Sequence, residues 1–278
     1  MTQNSPRLTT PRLWRNLAMA SAAVGLSAAP LAAQLAPLQV TIPSLDQGAR
    51  LWTVQAEGGE GGEAGAVAGA SQEVAYLAQL SIVEGHLVAA AQLYRNGQVE
   101  DALGLSYHPE AEMMDAVRES TAAHGVADIT PAMQAFSAAL EAKAPMAEVE
   151  AALAAVSAAV AAAQAPEAAD VKVRAEALAR LVKAAASEYG GSIEDGKVSD
   201  VMAYQESHAF LEVARVLAVG LQKEAASEKA ATRILDALKA ADEAYGDIAK
   251  PEVEARDPAI LLAVAARVEL IASSVRQP

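Results

Sequence analysis

The sequence predicts an all-α fold: an antiparallel helical bundle that follows a signal peptide and a flexible Gly/Glu linker. Three observations carry this. The 278-residue chain is 53% apolar but only 4% aromatic. Its apolar residues recur at three- and four-residue spacing from Ser71 onward, as on one face of a helix. Proline and glycine fall between the periodic stretches and punctuate them. Alanine dominates the composition, and it has the best intrinsic helix propensity and no rotamer entropy to lose. Such a core suits closely packed helices, whereas a sandwich or barrel needs β-branched and aromatic strands.

The elements follow in order. Residues 1–33 read as a secretory signal peptide: Arg7, Arg12 and Arg15 precede an apolar stretch from Leu17 to Leu26, and cleavage is expected after Ala33. That stretch is shorter than the roughly 18–20 apolar residues of a spanning helix. No later segment shows an uninterrupted apolar run of spanning length, so no membrane span is expected in the mature chain, and the expected address is the periplasm. Residues 34–70 form an extended segment with Pro37 and Pro43, then the low-complexity run EGGEGGEAGAVAGA at 57–70. That run reads as a flexible tether without fixed structure.

Residues 71–278 are expected to be the helical bundle domain. Leu77, Leu80, Val83, Leu87, Ala90 and Tyr94 mark one face of the first helix, which Asn96-Gly97 stops. A short helix is expected over 99–106. His108-Pro109 opens another, with Glu110 and Glu112 in its first turn. Thr130-Pro131 opens the next, to about Lys143. Further helices are expected over 146–164, 167–189, 199–223 and 228–245, and from Asp257-Pro258 nearly to the C-terminus. Short connections favour antiparallel neighbours. Asn96-Gly97-Gln98-Val99-Glu100-Asp101 echoes Asp195-Gly196-Lys197-Val198-Ser199-Asp200. The echo reads either as two pseudo-repeated helical hairpin units or as two similar caps.

Charge and composition exclude several functions. The formal net charge is −14, which disfavours phosphate backbones and anionic membrane surfaces. The absence of cysteine excludes disulfides, thiolate metal sites, c-type haem attachment and a thiol nucleophile. No nucleophile elbow, Walker loop, dinucleotide fingerprint or H-E-x-x-H is present, and no acid/base pair stands out among 35 acidic residues.

The four histidines are the selective candidates. A metal site would draw His86 and His108 from neighbouring helices, with Glu84, Glu112 or Tyr94 as an oxygen donor and His208 as a further candidate ligand. Imidazole with carboxylate suits iron, zinc, copper or manganese. Glu84 and His86 are two residues apart, about 200° around a helix, so they share one ion only if the helix distorts. The competing reading is half-buried histidines that cap or pack helices. His124, before Gly125, reads as an ordinary residue at a helix C-terminus. The methionines Met113, Met114, Met133, Met146 and Met202 are dispersed and read as core filling.

Glu188-Tyr189, Ile193-Glu194-Asp195-Gly196-Lys197-Val198, Tyr204-Gln205-Glu206 and Phe210-Leu211 together resemble the extracytoplasmic helical region associated with bacterial high-affinity iron permeases. Gly85-His86-Leu87, Tyr94-Arg95-Asn96-Gly97 and His108-Pro109-Glu110-Ala111-Glu112 resemble a recurring partner of it in exported proteins. Together these span about 74–220. The permeases' membrane helices and REGLE-type motif are missing, as is an H-x-x-E. The resemblance implies a periplasmic helical module linked to iron or another divalent transition metal, not transport by this chain. The expected function is therefore a non-enzymatic periplasmic accessory protein of metal handling, with a membrane permease or another periplasmic protein as partner. The alternative is a helical scaffold that docks such a partner without metal.

Overall fold

The computed structural model describes residues 60–167, 170–248 and 255–276. The expected signal peptide and the extended segment up to residue 59 lie outside the described residues. The described residues all belong to one unit spanning 52–278.

Eleven α-helices run through the described residues: α1 (Glu60–Val67), α2 (Gln72–Arg95), α3 (Val99–Leu105), α4 (His108–Glu112), α5 (Met114–Ala123), α6 (Thr130–Glu141), α7 (Met146–Gln164), α8 (Val171–Gly191), α9 (Val201–Gln222), α10 (Glu228–Lys239) and α11 (Ala259–Ser273). Caps set the boundaries of the long ones. Ser71 Oγ accepts from the Val74 amide at 3.3 Å and starts α2. Asp170 and Asp200 do the same for α8 and α9, each satisfying amides that an open helix end leaves orphaned. At the far end of α2, Gly97 turns left-handed (φ 82°), and the Gln98 amide reaches back to Leu93 O at 3.0 Å.

Several expectations are corrected. The run at 57–70 is not wholly a tether: Glu60–Val67 is α1, and Ala66 is buried against α8. The helix expected from His108 onward breaks at Met113 into α4 and α5. The helix expected to reach Tyr245 gives way to a 3₁₀ segment at Ala240–Ala244. The sequence echo does not produce equivalent structures. Asn96-Gly97 is a helix cap, whereas Asp195 and Gly196, both at positive φ, turn a two-residue antiparallel hairpin, β1 (Ile193–Glu194) with β2 (Lys197–Val198).

The apolar residues form two cores. One lies within α8–α11 and takes in Ile82 of α2. The other lies among α2, α3, α5, α6 and α7 and takes in Ala177 of α8 and Ala209 of α9. Helix α2 is the shared wall between them. Gly85 allows this: a Cβ there would meet Phe210 Cδ1 at 2.3 Å, so only glycine lets α9 approach α2 so closely.

Among the described residues, two helical segments are long and apolar enough to cross a membrane by length and composition, Gln72–Arg95 and Met146–Glu167. The sequence reading expected none. The first is 78% buried within the fold, whereas the second is only 22% buried.

Candidate metal centre

The seam between the cores is polar at one point. His86, one residue beyond Gly85, faces α9 and is 1% exposed. Its Nδ1 lies 2.9 Å from Ile82 O, one turn back. A carbonyl can only accept, so Nδ1 carries the hydrogen and donates it. In the neutral ring, Nε2 then presents a bare lone pair.

Three carboxylates surround that nitrogen. Glu63 Oε1 of α1 stands 3.1 Å away, Glu206 Oε1 of α9 3.3 Å, and Glu112 Oε2 of α4 3.5 Å. His108, at the start of α4, brings Nδ1 to 3.4 Å from Glu206 Oε1 and 3.9 Å from Glu112 Oε1. Glu63 Oε2, Glu112 Oε2 and Glu206 Oε1 are buried without a hydrogen-bond donor. Single donor atoms of His86, His108 and Glu112 lie within 4.8 Å of one another. Ligands on opposite sides of one first-row ion stand about 4.2 Å apart, so the trio is within a small side-chain adjustment of sharing an ion.

Electrostatics follow the same geometry. Burial pushes Glu63 up, and more strongly than His86 pulls it down. Burial lowers His86, but Glu63 and Glu206 outweigh it and hold the imidazole well above its usual value. His108 is raised, first by the Glu206 carboxylate beside it. Glu112 is desolvated, yet the two histidines bring it down. His86, His108 and Glu112 are shifted toward pairing imidazole with carboxylate, whereas burial shifts Glu63 the opposite way.

The structure brings His86, His108 and Glu112 together and separates the other candidates. Glu84 turns to α7, where Ser157 hydrogen-bonds its carboxylate; the helix does not distort, so the 200° separation from His86 holds. The Tyr94 hydroxyl donates to Ala144 O at 2.7 Å. His208 stands against Tyr245, with ring centroids 5.1 Å apart and Glu212 Oε1 at 3.8 Å. His124 stacks on Tyr76 at 4.3 Å, outside the centre. Two residues of the cluster were not among the candidates. Glu206 could have been found, since it sits in the Tyr204-Gln205-Glu206 pattern that carried the resemblance. Glu63 had no signal, because it lies in a Gly/Glu run indistinguishable from a linker.

Fold and site together define a helical-bundle protein with a half-buried cluster of two histidines and three carboxylates. Residues 164–277 match the model of a family described as the iron permease-associated 4-helix bundle domain. The matched span takes in α8, α9, α10 and α11, and the expected resemblance around 188–211 falls inside it. The other expected segment, Gly85 to Glu112, lies outside the match. No curated protein and no solved structure matches the chain.

Proposed function

We propose that the protein is an exported, non-enzymatic accessory protein of iron handling that binds a transition-metal ion through His86, His108, Glu112 and Glu206. One observation carries the reading: His86, with Nδ1 turned to Ile82 O, aims Nε2 at three carboxylates at once. One proton on Nε2 can satisfy only one of the three carboxylates; an ion can take all of them. Imidazole with carboxylate is a donor set for iron, manganese or zinc, and the family description of residues 164–277 favours iron. The same description supports a membrane permease as partner, and the leader expected at 1–33 supports a periplasmic address.

The test is calorimetry and elemental analysis of the purified protein with Fe(II) under anaerobic conditions, with Mn(II) and Zn(II) in parallel. One equivalent bound, and lost in His86→Ala and His108→Ala, is the expected result. No ion bound by the native protein rejects the reading.

A second reading, a scaffold that docks a partner without metal, is favoured by α7, a long apolar helix left mostly exposed. Recovery of a permease from solubilised membranes in chelator-treated buffer would favour it.

A further inference from the structure

Helix α1 is held in an unusual way. It has eight residues, too few to be helical alone. Gly61, Gly62 and Gly65 are three of the eight, and each disfavours a helix by about 1 kcal/mol against alanine. Its helicity therefore comes from what it is docked against.

Helix α8 supplies a cradle matched to the helix dipole. At the last turn of α1, Arg180 Nη1 donates to Ala66 O at 3.2 Å and Lys183 Nζ to Gly65 O at 3.1 Å. At the first turn, the Glu188 carboxylate and Ser187 Oγ lie against Gly62, where a Cβ would meet them at 2.6 and 2.8 Å. Cations sit on the end where carbonyls are orphaned, and a carboxylate on the end where amides are. Between these clamps α1 presents Glu63 to His86.

Docked α1 also covers the centre on the Glu63 side, while His108 stays about one-third exposed on the other. His86, Glu63 and Glu206 are each 5% exposed or less. A cavity of about 170 Å³ between Glu63, Val67, Gln79, Glu112 and Met113 touches the centre from the α1 side. The sign of the coupling follows from charge. Docking α1 brings a third carboxylate to a place that already holds Glu112 and Glu206. One proton on His86 Nε2 can pair with only one of the three carboxylates, whereas an ion draws in all of them, Glu63 included.

We propose that α1 is the closing element of the metal centre: it docks when an ion is bound, with Glu63 as the last ligand, and undocks to admit or release the ion. The inference rests on the metal-binding reading above.

The test uses the full chain, Fe(II) under anaerobic conditions, and two variants. Glu63→Gln removes the ligand. Gly62→Val keeps all five side chains of the centre and blocks docking of α1 against Glu188. Hydrogen exchange is followed over residues 60–67, and release of Fe(II) to a chromophoric chelator is timed. Exchange over 60–67 is expected to slow when Fe(II) is added to the native protein. Both variants are expected to bind Fe(II) through the remaining residues, lose that protection and release the ion faster by about ten-fold or more. If the native protein binds Fe(II) but exchange over 60–67 does not respond, or both variants release it at the native rate, the closing role is overturned while the metal centre stands. If the native protein binds no Fe(II), both fall together.

Discussion

The ring of Phe210 occupies the space a side chain on Gly85 would need, and the same ring lies edge-on to His86 with centroids 5.3 Å apart. Helix spacing and ligand placement are therefore set by one contact. Gly85→Ala gains about 1 kcal/mol of helix propensity, but overpacking a closed core costs about 1–3 kcal/mol. A net fall in thermal stability is expected, together with weaker metal binding, because α9 and Glu206 must back away from His86. Denaturation curves and calorimetry on one variant check both.

Removing a carboxylate from the centre should separate stability from binding. Glu206→Gln relieves repulsion among three buried carboxylates in the metal-free protein, and the metal-free midpoint is expected to hold or rise. Metal affinity should fall in the same variant. A centre that served only to hold the fold together would lose stability on this change, so paired thermal melts with and without Fe(II) decide between the two.

Saturating the centre should stabilise the protein by mass action. A free ion at about a hundred times its dissociation constant adds about 2.7 kcal/mol. The shift is expected in the native protein and in His208→Ala, and absent in His86→Ala. Glu84→Gln and Tyr94→Phe should also keep the native affinity. Tyr94→Phe should cost about 1 kcal/mol of stability for the lost hydrogen bond to Ala144 O.

At alkaline pH the tyrosines behind the centre come into play. Tyr189 is buried, donates to Ala244 O at 2.6 Å and accepts from the Arg256 amide at 3.1 Å. Burial pushes its hydroxyl up to about 12, and burial raises Tyr245 well above its usual value too. A folded value above the unfolded one, about 10, means the contribution is complete below pH 10 and is lost as pH climbs through 12. Native protein should show tyrosinate absorbance rising late and together with unfolding. Tyr189→Phe should be less stable at neutral pH by about 1–2 kcal/mol and flatter across the alkaline window.

Much of this architecture was legible because the relevant forces are local. The bounds of α7 at Met146 and Gln164 follow from prolines on either side, and those of α2 from Ser71 and Asn96-Gly97. Pairing His86 with His108 needed only nearby helices, α2 and α4, separated by the seven-residue α3. Glu63 was illegible for the opposite reason. Glycine content argues against a helix at 60–67, and only Arg180, Lys183 and Glu188, more than a hundred residues later, reverse that preference. The sequence echo misled because Gly97 and Gly196 share left-handed backbone while serving a cap in one place and a hairpin in the other.

The centre is spread unevenly along the chain. Of its five residues, only Glu206 lies within the stretch that matches a family. His86 is on the shared wall, His108 and Glu112 are on a five-residue helix, and Glu63 is on an eight-residue one. Cutting the chain ahead of the matched stretch would leave a bundle with one ligand and no imidazole among the five. Any chemistry done here belongs to the junction, so a chain that carries the matched stretch alone gives no warrant for assuming the same centre.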